Sequence, residues 1–377
     1  MTMTRRASLG TLPSGPHNAI TDVPGVRVGH ATILRDQPVF LRTGVTIIHP
    51  LAAPSWEENV FAGFHRYNGF GEVAGTQWLA ETGILTAPVA LTSTFNLGAV
   101  RDAILRYTTA RSSRRRFQIP VVAETNDFFL SDTPAWTIGA DDVIAAIEGA
   151  AGGPVPEGNV GGGTGNVGYL FKAGIGTASK KAKTPSGEYT VGVLVQSNHG
   201  RREDFCYGGL PVGRVLGADV VPFPKIVGDD PYLIAPAFAA AAEKKYKEDG
   251  SVIIVIATDA PLTAHQCRRL AQRAVVGLGR TGGLGNNSSG DFCLCFSTGN
   301  RLPQGAAKTI GGLAMIPNEH TTPLFQATVE ATESALVNSV LMAETMIGRR
   351  GNTAWALSPE VLAQALPKAA DLVLRQS

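Results

Sequence analysis

Residues 244–262 read KKYKEDGSVIIVIATDAPL, and the polarity of the chain changes there at a single peptide bond. Lys245, Tyr246, Lys247, Glu248 and Asp249 lead into Gly250, and Ser251 then opens the apolar run Val252–Ala257. A β-branched run of that length, ended by Asp259-Ala260-Pro261, predicts a strand buried on both faces. The charged segment before it predicts a solvated loop or the frayed end of a helix. Ser251 therefore stands where exposed chain enters a core.

Glycine at that junction offers a chemical use. With no Cβ, Gly250 reaches backbone angles closed to other residues, so a strained turn can aim its carbonyl at the Ser251 hydroxyl. An N-to-O acyl shift followed by hydrolysis would cut the chain and leave Ser251 as a new amino terminus. A terminal amine titrates near ~8 and suits a base acting on its own side-chain hydroxyl. A Gly-Ser loop before an ordinary strand is the plainer alternative.

Outward from this junction, helices and strands alternate. The alanine-rich stretch Pro231–Lys247 predicts a helix leading to Gly250. Beyond the strand, Thr263–Val276 carries a helical apolar stripe stopped by Gly277, and Asp291–Ser297 returns as a strand. Pro323–Ile347 predicts a long helix, and Ser358-Pro359 begins a last one. Upstream, Thr43–His49, Ala87–Ser93, Phe117–Ala123 and Tyr189–Ser197 predict strands, with helices near Val100–Tyr107 and Asp141–Ala150. Strands and helices mixed throughout imply sheets covered by helices, α/β or α+β, and leave the layering open.

Composition narrows the function classes. The 377 residues are 44% hydrophobic and 17% charged, enough apolar material for a large core, and no linker divides them. Lys+Arg 33 against Asp+Glu 31 leaves a net charge of +2, with no electrostatic footprint for nucleic acid. The run Arg111–Arg116, RSSRRR, reads as a solvated loop. No run approaches a membrane span and the amino-terminal stretch lacks a signal-peptide core, so a soluble cytoplasmic protein is expected.

Several motifs compete to carry the chemistry. Gly163–Gly168, GTGNVG, matches a dinucleotide fingerprint, but a Pro/Gly-rich stretch precedes it where a strand is required. A glycine-rich loop near an active site fits better, and no cofactor is expected. No G-x-S-x-G occurs, and none of the seven histidines has metal-ligand spacing. Cys293 and Cys295 read as small buried groups on one strand face, so no metal is expected. Asn198 ends a predicted strand, where its amide suits donation to an oxyanion or a simple turn. Ser289-Gly290-Asp291 sits in the polar loop GLGNNSSGD, an ordinary turn when taken alone.

Gly250-Ser251 followed by VIIVIATDAPL resembles the self-cleavage site of the DmpA-type aminopeptidases, the L-aminopeptidase/D-esterases and β-peptidyl aminopeptidases. The likeness runs through NAITDVPGVRVGH (18–30), VVAETND (121–127), EGNVGGGTG (157–165), VGVLVQSN (191–198) and SSGDF (288–292), in one order. It implies a four-layer αββα sandwich like that of the N-terminal nucleophile hydrolases, with different connectivity. It implies chains of residues 1–250 and 251–377, with Ser251 as nucleophile. Ser289 and Asp291 correspond to residues contacting the nucleophile and its amine, and Asn198 fits an oxyanion donor. Glu124 corresponds to a glutamate facing the substrate's free amino group. Asn126 stands where the family often has an aromatic residue, and His199 also departs from the pattern, which bears on substrate range. The implied substrates are short peptides, amides or esters with a free amino terminus, and the implied assembly is a homotetramer. Acyl transfer of the ornithine acetyltransferase type is the alternative, although those enzymes use threonine at the junction.

Overall fold

The computed structural model describes residues 5–112, 118–132, 137–227, 250–306 and 308–374. Strands β1 (Arg27–Arg35), β2 (Leu41–His49), β3 (Glu58–Gly69) and β4 (Val73–Ala74) precede helix α1 (Thr76–Thr82). Then come β5 (Ile84–Leu85), β6 (Val89–Ser93), α2 (Leu97–Arg111), β7 (Val121–Thr125) and α3 (Ala140–Glu148). The short β8 (Val167–Gly168) and β9 (Phe171–Lys172) lead into β10 (Ile175–Thr184) and β11 (Gly187–Asn198). After them follow β12 (Gly250–Thr258), α4 (Ala264–Arg280), β13 (Ser289–Pro303), α5 (Thr322–Leu341) and α6 (Pro359–Leu374).

Two sheets carry these strands, one ordered β1-β2-β6-β7-β4 and the other β10-β11-β12-β13-β3-β5. They stack face to face. Ile48, Leu91, Val121 and Ala123 of the first meet Ile253, Val255, Phe292 and Phe296 of the second in one buried cluster. On the outer side of the first sheet, Val45, Ile47 and Val122 pack against Ile104, Val143 and Ile147 of α2 and α3. On the outer side of the second, Ile254, Ile256, Cys293 and Cys295 pack against Leu270 of α4 and Ala331 of α5. The architecture is a four-layer αββα sandwich.

The reading of residues 252–257 holds. β12 lies between antiparallel β11 and parallel β13, and alternate residues enter different cores, which explains its unbroken apolar run. Fully burying each of the five valine and isoleucine side chains stabilises the fold by roughly 1.5–3 kcal/mol.

Several boundaries differ from expectation. Helix α4 does not stop at Gly277 but runs to Arg280, because Gly277 serves a helix contact: a Cβ there would stand 2.7 Å from Thr332 of α5. Helix α5 ends at Leu341, short of the expected Ile347. Ser289 and Gly290 are not loop but the start of β13, drawn into the sheet by β12 on one side and β3 on the other. The predicted helix Pro231–Lys247 and most of the basic run Arg111–Arg116 lie outside the described residues. Among the described residues no helix is long and apolar enough to cross a membrane.

Candidate active site

Ser251 is the second residue of β12 and is buried, with 4% of its surface exposed. It registers with Asn198 of β11 on one side and Gly290 of β13 on the other. Side chains alternate along a strand, so Ser251 shares the inter-sheet face with Ile253, and with Asn198 beside Gln196. The Asn198 Oδ1 accepts the Val167 N–H at 2.9 Å. That bond aims the amide by its oxygen and leaves the Nδ2 donors for another acceptor.

Gly250 does not adopt the strained turn expected from sequence. It begins the strand with φ outside the left-handed region, and its N–H donates to Ser288 O at 3.4 Å. Its lack of a side chain answers a different need. A Cβ would lie 3.0 Å from both Asn198 O and His199 Cα, so only glycine lets β11 end this close. In an extended strand a residue's N–H and C=O point toward the same neighbour, so the Gly250 carbonyl also faces β13.

Ser289 and Asp291 register with Gly250 and Val252. Their side chains therefore lie on the helix-covered face, in phase with Cys293, whereas the Ser251 side chain is on the inter-sheet face. Ser289 Oγ donates to Asp291 Oδ1 at 2.6 Å. The other oxygen, Oδ2, is buried and has no hydrogen-bond partner among the described residues. Burial pushes the Asp291 carboxyl up to about 6, and the Ser289 bond draws it back only in part.

Glu124 stands one residue before the end of β7 in the opposing sheet, in phase with Val122, and is also buried. Its Oε1 accepts the Glu72 N–H at 3.0 Å, and the Thr94 hydroxyl donates to Oε2. Burial raises its pKa, and these two donors oppose the rise. A Cβ on Gly71 would stand 3.0 Å from Glu124 Oε1 and 3.7 Å from Gly290 Cα. The Gly71 turn thus lies between the Glu124 carboxylate and Gly290, the β13 neighbour of Ser251. Asn126 is exposed, and its Oδ1 accepts the Phe128 N–H at 2.8 Å, so this side chain folds back on its own turn.

The structure sets Ser251 and Asn198 side by side on the inter-sheet face, brings the Glu124 carboxylate to the Gly71 turn at one mouth of the sandwich, and sets Ser289 and Asp291 across the sheet. A cleft of about 750 Å³ adjoins this mouth at Gly71 and Phe292, and Ser251 is not among its lining residues. Sequence reasoning missed Thr94, the Glu72 amide and the Val167 amide, which fix the site by contacts that no local motif marks. The glycine stretch 161–168 packs onto the protein itself: a Cβ on Gly163 would lie 2.5 Å from Ile175 N, and one on Gly165 2.2 Å from Arg42 O. It is followed by the short β8 and β9 rather than by a helix, so it lacks the frame of a dinucleotide loop.

Residues 18–354 match the model of peptidase family S58. The chain belongs to peptidase family S58. This S58 peptidase is 40% identical over 363 residues to the β-peptidyl aminopeptidase BapA of Sphingosinicella xenopeptidilytica, covering 93% of this chain and 87% of that protein. The BapA of Sphingosinicella microcystinivorans is 38% identical, with coverage of 94% and 89%. Among solved structures, a Burkholderia sp. β-aminopeptidase matches with a TM-score of 0.85 and 41% identity, covering 96% of each chain. The L-aminopeptidase D-Ala-esterase/amidase of Ochrobactrum anthropi, described as a variant of the Ntn hydrolase fold, matches with a TM-score of 0.85 and 36% identity. It covers 97% of this S58 chain and 99% of that one. The αββα sandwich of this S58 peptidase is thus the Ntn-hydrolase-like one that the sequence resemblance implied.

Proposed function

We propose that this S58 peptidase is a self-processing serine aminopeptidase in which Ser251 is both the product of chain cleavage and the nucleophile. One observation carries the reading: Ser251 stands second in a buried strand between Asn198 and Gly290, and the Gly71 turn beside Gly290 also meets the Glu124 carboxylate. In maturation, Ser251 Oγ bonds to the Gly250 carbonyl carbon, the Gly250–Ser251 C–N bond breaks, and the hydroxyl proton ends on the freed nitrogen. Water then adds to the resulting ester, and Oγ leaves with a proton. The products are residues 1–250, ending in a carboxylate, and residues 251–377, beginning with an amine. Release of the Gly250 end uncovers a serine that is buried in the uncut chain.

In turnover, the Ser251 amine takes the proton from its own hydroxyl, which attacks the substrate carbonyl. Asn198 Nδ2 donates to the oxyanion. Asp291 Oδ2, an acceptor with no partner among the described residues, holds the amine in place, and Ser289 orients that carboxylate. The leaving amine departs with a proton, and water releases the acyl group from Ser251. Glu124 binds the substrate's ammonium, which restricts the enzyme to free amino termini. The substrates are short peptides, amides and esters with α-L, D or β-amino first residues. A cytoplasmic homotetramer of processed units is the form supported by the family resemblance.

Intact-mass measurement of purified protein, alongside p-nitroanilides carrying L-, D- and β-residues, tests this. Two fragments cut at 250/251 are expected, and Ser251→Ala is expected to remain one inactive 39.5 kDa chain. A fully active uncut chain would reject the reading.

A further inference from the structure

The face of β12 opposite the Ser251 hydroxyl is backed by His199. Its Cα would lie 3.0 Å, and its Cβ 3.3 Å, from a Cβ on Gly250, so the glycine rests against this residue. His199 is itself gripped twice by Tyr169. The Tyr169 N–H donates to His199 O at 2.7 Å, and the Tyr169 Oη lies 3.0 Å from His199 Nε2. The rings meet edge to face with centroids 4.9 Å apart.

The hydrogen bonds run in a definite direction. Thr281 Oγ1 donates to Leu278 O at 2.8 Å, which leaves it to accept from Tyr169 Oη at 2.8 Å. Tyr169 Oη then accepts from His199 Nε2–H, and His199 Nδ1 faces the Ser197 hydroxyl at 3.3 Å. The ring is thereby held at both nitrogens, Nε2 by Tyr169 and Nδ1 by Ser197. Tyr169 is held in turn by the buried Arg202, whose Nε donates to Tyr169 O at 3.2 Å. None of these groups reaches the inter-sheet face, where substrate would meet Ser251.

We propose that His199, clamped by Tyr169, is the backstop that holds Gly250 against the Ser251 hydroxyl during chain cleavage, a positioning residue for maturation. The proposal rests on the cleavage reading above. When Oγ closes on the Gly250 carbonyl from one face, the peptide recoils toward the other, and a fixed wall there keeps the reacting atoms at attack distance. After cleavage Gly250 has left, and the wall no longer faces a scissile peptide.

The test follows conversion of freshly made full-length chain into two fragments for wild type, Tyr169→Phe and His199→Ala. Tyr169→Phe keeps the ring and removes only the Oη bonds. Melting temperatures of the same variants in the uncleavable Ser251→Ala background report folding. Cleavage slowed on the order of tenfold or more in both variants is the expected result, with kcat/KM per cleaved chain within about twofold of wild type and the precursor still folded. Cleavage at the wild-type rate in both variants would overturn the backstop while leaving Ser251 as nucleophile. So would a precursor that no longer folds, or an equal loss of kcat/KM per cleaved chain. A wild-type chain that never cleaves would instead remove the functional reading beneath it.

Discussion

Ser251 and Asp291 sit on neighbouring strands and point to opposite faces of the same sheet. Val252, not Ser251, is the register partner of Asp291, and the core assignments of Ile253 and Cys293 fix the two phases. A carboxylate in that position is badly placed to take a proton from the Ser251 hydroxyl. On the proposed reading it acts on the amine freed at the strand's new end. The chemistry assigned to Asp291 is therefore electrostatic, exerted on the amine, and the amine remains the base.

The pH profile distinguishes those roles. A carboxylate beside an ammonium favours the charged form and raises the amine's pKa. Asp291→Asn removes that stabilisation, so the acid limb of kcat/KM should move to lower pH by about one unit, alongside a fall in kcat. The measurement is kcat/KM from pH 5 to 9 on processed enzyme of both forms. An acid limb that stays in place or moves upward would sink the electrostatic role.

Glu124 should control the demand for a free amino terminus. Burial lifts its pKa despite Thr94 and Glu72, and an incoming ammonium brings an opposite charge that favours the carboxylate. Glu124→Gln should lower kcat/KM for free-amine substrates by roughly 100-fold, through KM more than kcat, and leave the poor rate on N-acetylated analogues nearly unchanged. Thr94→Val should move the same ratio in the same direction by less. Equal losses on both substrate types would place Glu124 outside the amine site.

A buried carboxylate just past β7 links pH to stability. Asp127 is 1% exposed, neither oxygen makes a full hydrogen bond among the described residues, and burial pushes its carboxyl up to about 7, with Thr43 and Ser93 pulling it partway back. A pKa raised on folding means the native state holds the proton more tightly. Its stabilisation is complete below the unfolded value near ~4 and is lost as pH rises through about 7. In the Ser251→Ala chain, Asp127→Asn should therefore gain stability over its parent between pH 4 and pH 8, by on the order of 3 kcal/mol. Urea melts at the two pH values check this, and a pH-independent difference would contradict it.

Much of this was legible in the chain because it is encoded locally. The run 252–257 reads as a doubly buried strand, while the αββα layering comes only from the family resemblance, the pattern of elements leaving it open. What stayed hidden depends on neighbours distant in sequence. Ser289 reads as a turn residue and becomes strand only because β12 and β3 recruit it. Gly277 reads as a helix stop and is instead a packing notch against α5. Thr94 reads as the first residue after a strand, and its bond to Glu124 exists only once β6 and β7 lie in parallel.

The same distinction decides what Gly250 is for. Read as a turn residue, it would be needed for its φ, and alanine would be excluded by backbone strain. In the structure its φ is one that L-residues accept, and the constraint is the 3.0 Å approach of Asn198 O and His199 Cα. Gly250→Ala should therefore fold, with the end of β11 pushed back by a few tenths of an ångström. Cleavage should slow by roughly tenfold to a hundredfold, because the displaced Asn198 and His199 flank the reacting peptide. A time course of fragment formation, paired with a melt of the double variant with Ser251→Ala, separates the two accounts. Cleavage at the wild-type rate would show that the close approach has no bearing on the reaction. A precursor destabilised by several kcal/mol would return the glycine to a backbone role.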